Sequence, residues 1–381
     1  MAEKFILINM RIGINLIQYR GLHGIEAFAR EIIEKLILLD KDDEFILFTN
    51  QNSSVIFKFS GSNVKIIEEK FKNFSRFNLI LYQQILLPRI LKREKIDLLY
   101  CPSVAMPIFY KNKIVTIHDC AAFKFKNEVG FSSRIYLKMA FWSAKNFSKK
   151  IVTISEFSKN ELINDYKVNP DLISVISEGV ARIPDVSLDF IEKTKEKFKI
   201  ENPYFFYLGN IHYRKNLIGL LESFKKFKEN HNEFYLVFGG RINSCFINIR
   251  EEAKRLNISN SLIQTGFISD EEKVALYKGA IAHVFPSFYE GFGLSILEAQ
   301  SLGVPVLTSN ITSMPEVAGK GALFVNPYSI EEIASGLEEI VFNKELRKKI
   351  INRGFENVKR FSWEFTARKM INIFEIFNNY E

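Results

Sequence analysis

Two carboxylates, Glu290 and Glu298, lie eight residues apart in the run Pro286-Ser287-Phe288-Tyr289-Glu290-Gly291-Phe292-Gly293-Leu294-Ser295-Ile296-Leu297-Glu298-Ala299. Carboxylate oxygens accept hydrogen bonds from sugar hydroxyls, and their charge stabilises an oxocarbenium-like centre. Between them, Gly291 and Gly293 let the backbone come close to a ligand, and the N–H groups of a helix opening at Leu294 favour an anion. A second run, Tyr207-Leu208-Gly209-Asn210-Ile211-His212-Tyr213-Arg214-Lys215-Asn216-Leu217, ends a strand, turns at Gly209 and opens a helix near Asn216, a favoured N-cap residue. Arg214 and Lys215 then flank a helix N-terminus, where side-chain charge and backbone dipole both favour phosphate. A third run, Val115-Thr116-Ile117-His118-Asp119, places His118 at the carboxyl end of a strand, the edge where parallel sheets bind ligands. Taken singly, each motif also has a plain structural reading: a tight loop, a solvated corner, a strand cap satisfied by Asp119. The turn Gly21-Leu22-His23-Gly24-Ile25-Glu26 lacks the full G-x-G-x-x-G spacing, so it is no dinucleotide fingerprint.

The elements that must hold these loops alternate between short apolar runs and amphipathic stretches. Strands are expected at Met10–Leu16, Glu44–Thr49, Val64–Ile67, Asp97–Tyr100, Ile114–His118, Ile151–Ser155 and Ile173–Ile176. A second set follows at Tyr204–Leu208, Phe234–Phe238, Leu262–Thr265, Ile281–Phe285, Val304–Thr308 and Ala322–Val325. Helical periods fill the gaps, among them Ile25–Leu39, Phe77–Leu91, Ser132–Phe147 and Ser158–Tyr166. Alternation of this kind implies parallel sheets covered by helices on both faces, here as two Rossmann-like domains. The boundary is expected within Gly179–Pro203, where Pro184, Pro203 and a dense Lys/Glu stretch interrupt the buried period. Met1–Asn9 precedes the natural start of strand one and reads as an extension or a mis-assigned start.

Composition narrows the function. Of 381 residues, 47% are hydrophobic and 25% charged, which suits a packed core and excludes wholesale disorder. No apolar stretch reaches the length of a membrane span, and no cleavage site of the secretory type follows the first apolar run, so a cytoplasmic location is expected. Cys101, Cys120 and Cys245 are too few and too scattered for a disulfide framework or zinc site. The net charge is +8, and the whole excess falls in residues 1–200, with 31 Lys/Arg against 23 Asp/Glu. Such asymmetry suits an anionic partner: a nucleic acid, a lipid surface or a phosphorylated small molecule. No nucleic-acid motif is present, so nucleic acid is not expected as a partner. Residues 123–150 interleave aromatics (Phe131, Tyr136, Phe141, Trp142) with cations (Arg134, Lys138, Lys145), a mixture suited to an anionic bilayer, although Tyr136, Met139 and Trp142 also fall at core spacing. Asp40-Lys41-Asp42 matches a D-x-D metal motif but reads as a solvated helix-end loop; no metal is expected.

Taken in order, the motifs resemble the retaining glycosyltransferases of family 4, which have the two-domain GT-B fold. The matching pieces are Gly24, His118-Asp119, Thr153-Ile154-Ser155-Glu156-Phe157-Ser158, Gly209-x-x-x-x-Arg214-Lys215-Asn216-Leu217 and the Glu290/Glu298 pair. Val304-Pro305-Val306, Pro315-Glu316-Val317 and Phe361-Ser362-Trp363 complete the pattern. The resemblance implies an acceptor-binding domain at 1–183, a nucleotide-sugar domain at 184–361 facing it across a cleft, and a helix at 362–381 crossing back to the first. It implies that Arg214 and Lys215 neutralise a donor diphosphate and that Glu298 binds its ribose. Glu290, with the backbone of Gly291, Phe292, Gly293 and Leu294, would grip sugar and phosphates. His118 would stand near the transferred sugar, Gly24 would approach the diphosphate, and Gly209 would turn the chain beside it. Ser295 stands where proline is common, and Ser177-Glu178-Gly179 where Pro-Asn-Gly is usual. The activity implied is metal-independent, retaining hexosyl transfer without a bound cofactor. GDP-mannose is the leading donor, and the acceptor is a glycan, lipid-linked, in bacterial surface-polysaccharide (lipopolysaccharide) synthesis at the inner face of the plasma membrane. The alternatives are a UDP-hexose or dTDP-rhamnose transferase, or a catalytically silent GT-B scaffold.

Overall fold

The computed structural model describes residues 10–19, 24–70, 76–180, 183–240 and 248–378. The chain forms two compact units, Met1–Gly179 with Ser362–Glu381, and Val180–Phe361. The division thus falls four residues before the expected end of the first domain at 183, and residues 362–381 group with the first unit.

In the first unit, seven strands form one parallel sheet. They are β1 (Arg11–Asn15), β2 (Glu44–Asn50), β3 (Val64–Glu69), β4 (Leu98–Cys101), β5 (Lys113–Thr116), β6 (Lys150–Thr153) and β7 (Ile173–Val175), in spatial order β3-β2-β1-β4-β5-β6-β7. Phe45, Ile46, Leu47 and Phe48 are all fully buried, as expected of a parallel strand covered on both faces. The helix Trp363–Asn378 packs against the helix Gly24–Leu39. Trp363 meets Phe28 at 5.7 Å, Phe374 meets Tyr100 at 6.0 Å, and the Thr366 hydroxyl donates to the Ser177 carbonyl at 2.7 Å. Gly179 lies so close to Ser362 and Trp363 that a Cβ there would overlap their backbone.

The second unit carries six parallel strands: β8 (Tyr204–Leu208), β9 (Tyr235–Gly239), β10 (Leu262–Gly266), β11 (Ala282–Phe285), β12 (Val306–Ser309) and β13 (Leu323–Val325), in order β10-β9-β8-β11-β12-β13. The order reverses between β8 and β11, the switch point at which doubly wound sheets bind ligands. All thirteen expected strands are present within a few residues of their expected bounds.

Three expectations need correction. The Phe77–Leu91 helix is instead Arg76–Leu81, a π-helical turn Tyr82–Leu86 and Leu87–Arg93. Pro88 in the first turn of the last piece has no N–H to offer the α-ladder, and the wider turn before it places both Tyr82 and Gln83 inward. The stretch read as linker contains a helix, Leu188–Lys197, capped by the Ser187 side chain on the Phe190 N–H at 3.2 Å. Its lysines and glutamates hid an inward face of only Ile191 and Thr194. The D-x-D segment is not simply solvated: Asp40 is buried and accepts from the Asp42 and Asp43 N–H groups, while Asp43 accepts from Met10 N–H at 2.8 Å. These carboxylates tie a helix end to the start of β1. Burial, followed by the charges of Asp40 and Asp42, pushes Asp43 up to about 7.

Candidate active site

β8 and β11 are neighbours in the sheet, so the loops leaving their carboxyl ends lie side by side. The backbone joins them directly: the Arg214 carbonyl accepts from Phe288 N–H at 2.8 Å and from Tyr289 N–H at 3.3 Å. Across that seam Glu290 takes both cations. Arg214 Nη1 donates to Glu290 Oε2 at 2.8 Å and to the Tyr289 carbonyl at 3.1 Å, and Lys215 Nζ donates to Glu290 Oε1 at 2.5 Å. Glu290 is 5% exposed and Lys215 9%, so this is a buried cluster of one negative and two positive groups. Burial pushes the Glu290 carboxyl up, but Lys215 and Arg214 outweigh it and hold it below the usual carboxylate range. The Lys215 ammonium also lies 4.8 Å from the Phe285 ring centroid.

Local structure explains why these side chains stay in place. Tyr213–Lys215 is one 3-10 turn, and Asn216 follows in the left-handed conformation at φ 55°. Asn216 does not cap the helix Leu217–Lys228 with its side chain, as its residue type had suggested; its amide donates to the Pro327 carbonyl at 2.6 Å. The other loop is pinned from outside: the Ser313 hydroxyl reaches the carbonyls of Glu290 and Phe292, both at 2.9 Å, and Phe292 packs edge-on to Phe361. Gly293, at φ 104°, is the N-cap of the helix Leu294–Ser301. Gly209 is required by its own strand, since a Cβ there would lie 2.8 Å from the Tyr207 hydroxyl.

Glu298 forms a separate cluster. It accepts from Lys273 Nζ at 2.9 Å and from the Tyr277 hydroxyl at 3.4 Å, both on the helix Asp270–Gly279. Lys273 and Tyr277 were not expected at the site; the signal was their spacing of four on one helix, which puts both on one face. Also missed was His283, buried inside β11. Its Nδ1 lies 3.0 Å from the Phe206 carbonyl, and its Nε2 lies 3.2 Å from the Ser295 hydroxyl. A carbonyl only accepts, so Nδ1 carries the proton and Nε2 accepts from Ser295. Ser295, the departure from proline, is therefore held from behind by a neutral histidine that burial has driven down to about 4.

His118 and Gly24 belong to the other unit. His118 lies two residues beyond the end of β5 rather than on it. Its Nε2 donates to the Pro102 carbonyl at 2.9 Å, which leaves Nδ1 unprotonated 4.0 Å from a Glu178 carboxylate oxygen. Burial pulls its pKa down, so the ring is neutral near pH 7. Phe28 meets the ring edge-on at 4.8 Å, and Phe28 lies one helical turn after Gly24, so these two residues share a neighbourhood. A Cβ on Gly24 would meet nothing within 4 Å among the described residues. Gly21, Leu22 and His23 of the first turn, like Met1–Asn9 and Cys245, lie outside the described residues. Among the described residues, no group of three or more His, Cys, Asp or Glu could hold a metal ion.

Comparison with known proteins identifies the family and the fold. The family model described as Glycosyltransferase Family 4 matches residues 23–182, and that described as Glycosyl transferases group 1 matches residues 190–357. The chain is 28% identical to an O-antigen chain mannosyltransferase B of Escherichia coli over 93% of this chain and 96% of that one. Among solved structures, a glycosyltransferase from Rickettsia africae ESF-5 superposes with a TM-score of 0.74 at 22% identity, covering 98% of this chain and 100% of that one. Anabaena HepE in complex with UDP-glucose superposes with a TM-score of 0.75 at 15% identity, covering 96% of this chain and 100% of the other. The two parallel-sheet units are those of the GT-B fold. The chain belongs to the family 4 glycosyltransferases.

Proposed function

We propose that this family 4 glycosyltransferase transfers a hexose from a nucleoside diphosphate sugar to a glycan acceptor with retention of configuration and without a metal ion. The Arg214–Glu290–Lys215 cluster at the β8/β11 switch point is the observation that carries this reading. Bond breaking leaves negative charge on the departing diphosphate and an oxocarbenium-like sugar. Arg214 and Lys215 take the first of these charges, assisted by the N-terminus of the helix that Gly293 opens. Glu290 faces the second and keeps both cations fixed before the donor arrives. Glu298, steadied by Lys273 and Tyr277, suits a pair of ribose hydroxyls. In the other unit, neutral His118 and the open space at Gly24 suit the sugar and the diphosphate respectively.

GDP-mannose is the leading donor; the naming of the E. coli relative as an O-antigen chain mannosyltransferase supports mannose as the sugar. The same name supports a bacterial polysaccharide glycan as acceptor; that this glycan is lipid-linked and met on the cytoplasmic side of the membrane is part of the proposal. The test is a panel of GDP-mannose, UDP-hexoses and dTDP-rhamnose scored by nucleotide release, with the anomeric configuration of the product read by NMR. Release from GDP-mannose above the other donors, with retention, is expected. Preference for another donor would replace mannose. Silence with every donor would sink the enzymatic reading and favour a partner-binding scaffold.

A further inference from the structure

The helix Phe131–Phe147 faces solvent with an apolar stripe. Phe131, Ile135, Met139 and Trp142, at spacings of four, four and three, are 71%, 47%, 47% and 50% exposed. Its buried side holds only small residues: Ala140, Ser143 and Ala144. Phe109 extends the stripe, 72% exposed and 6.4 Å from the Trp142 ring. Alongside, the helical stretch Arg76–Arg93 exposes Phe77, Ile80, Leu81, Ile85 and Leu86, and the Tyr136 hydroxyl ties the two elements together by donating to Gln83 Oε1 at 2.9 Å. A continuous surface of this kind marks an interaction site rather than scattered exposure.

Its charge identifies the partner. Residues 77–150 carry thirteen Lys/Arg against four Asp/Glu, and of the thirteen only Lys113 is buried. Lys138 and Lys145 lie on the exposed face of the apolar helix itself, and the Arg134 guanidinium lies 5.6 Å from the Phe131 ring centroid. Apolar side chains ringed by cations match the headgroup and upper acyl region of an anionic bilayer. No helix among the described residues is long and apolar enough to cross one. We infer that this face of the first unit docks on an anionic lipid surface, with the Phe131–Trp142 stripe inserted at the level of the headgroups. The inference is independent of the donor chemistry, and its test has no transfer readout, so either reading can fail without the other.

The full chain is sedimented with phosphatidylcholine vesicles with and without phosphatidylglycerol, at low and high salt. Binding is expected only with phosphatidylglycerol and at low salt, together with a blue shift of Trp emission. That shift reports Trp142, because the other tryptophan, Trp363, is already buried. Trp142→Phe should abolish the shift yet still sediment. Met139→Glu, at an exposed position where folding is preserved, should weaken binding about tenfold or more by placing a carboxylate in the apolar layer. Several outcomes would overturn the proposal: no binding to phosphatidylglycerol vesicles at low salt, unchanged Trp emission on binding, or equal binding by Met139→Glu. So would a dimer in vesicle-free solution that Met139→Glu dissociates, because the face would then belong to a second copy of the chain.

Discussion

Arg214 and Lys215 have a carboxylate between them, so each is oriented by Glu290 before any ligand binds. Arg214→Ala or Lys215→Ala should each cost about 2–4 kcal/mol of transition-state stabilisation, the scale of one preorganised electrostatic donor. This is read as kcat/KM for nucleotide release, and near-normal turnover in either variant would remove the pair from the mechanism. On the proposed reading these cations hold the charge that a metal would otherwise hold, so EDTA should leave transfer intact; loss of activity restored by magnesium or manganese would contradict this. Two buried groups of the second unit, His283 and Glu290, act on different pH limbs. His283 falls to about 4 when folded, against an ordinary value near 6.5, so between these values the unfolded chain binds the extra proton. The His283 contribution to stability is therefore lost as pH falls through that window, by roughly 3 kcal/mol, while Asp43, raised to about 7, contributes a slope of opposite sign there. His283→Gln should flatten this limb in denaturant titrations at successive pH values. Glu290 is depressed, so its contribution is present above the ordinary carboxylate value and lost as pH falls below it; Glu290→Gln should lower stability at neutral pH and flatten this more acid limb.

At the scale of elements, the two site loops are held by turns that only particular residues can form. Gly293 takes a positive φ at the start of the helix Leu294–Ser301, and a Cβ there would also lie 3.2 Å from Ile296. Gly293→Ala should cost about 1–2 kcal/mol, the usual scale of left-handed strain in an L-residue. Weakened donor binding should accompany it, measured as KM beside the unfolding midpoint. Unchanged values for both would mean the loop relaxes freely. Loops at the β8 and β11 ends were legible as functional because the strand–turn–helix pattern places them at a sheet edge. Asn216 was misread because residue type reports capping preference, whereas the Pro327 carbonyl that captures its amide is 111 positions away.

At the scale of the whole molecule, the chain leaves its first unit at Gly179 and returns to it at Ser362. The returning helix covers Phe28 and Tyr100, so deleting residues 362–381 should uncover part of the first unit's core and leave the second unit's own contacts intact. Hydrogen exchange should then rise in β1, β4 and the helix Gly24–Leu39 while β8–β13 keep their protection. Equal loss of protection in both units would show that they do not unfold as the separate bodies their packing describes.

The sequence by itself determined the strands, the two-unit architecture and the loops of the site, because buried parallel strands write near-continuous apolar runs such as Phe45–Phe48 and Tyr204–Tyr207. It also placed Arg214, Lys215 and Glu290 in the loops that follow β8 and β11. Only the tertiary structure decided that one carboxylate binds both cations, since that pairing spans 75 and 76 positions and depends on β8 and β11 being neighbours. The same holds for His283 behind Ser295 and for the face of the helix Phe131–Phe147 that meets solvent. Periodicity showed Tyr136, Met139 and Trp142 at core spacing, yet Met139 and Trp142 are exposed while Ala140, Ser143 and Ala144 are buried. A helical pattern marks which residues share a side, but which side is covered is set by the surface the helix packs against, and that surface comes from distant parts of the chain.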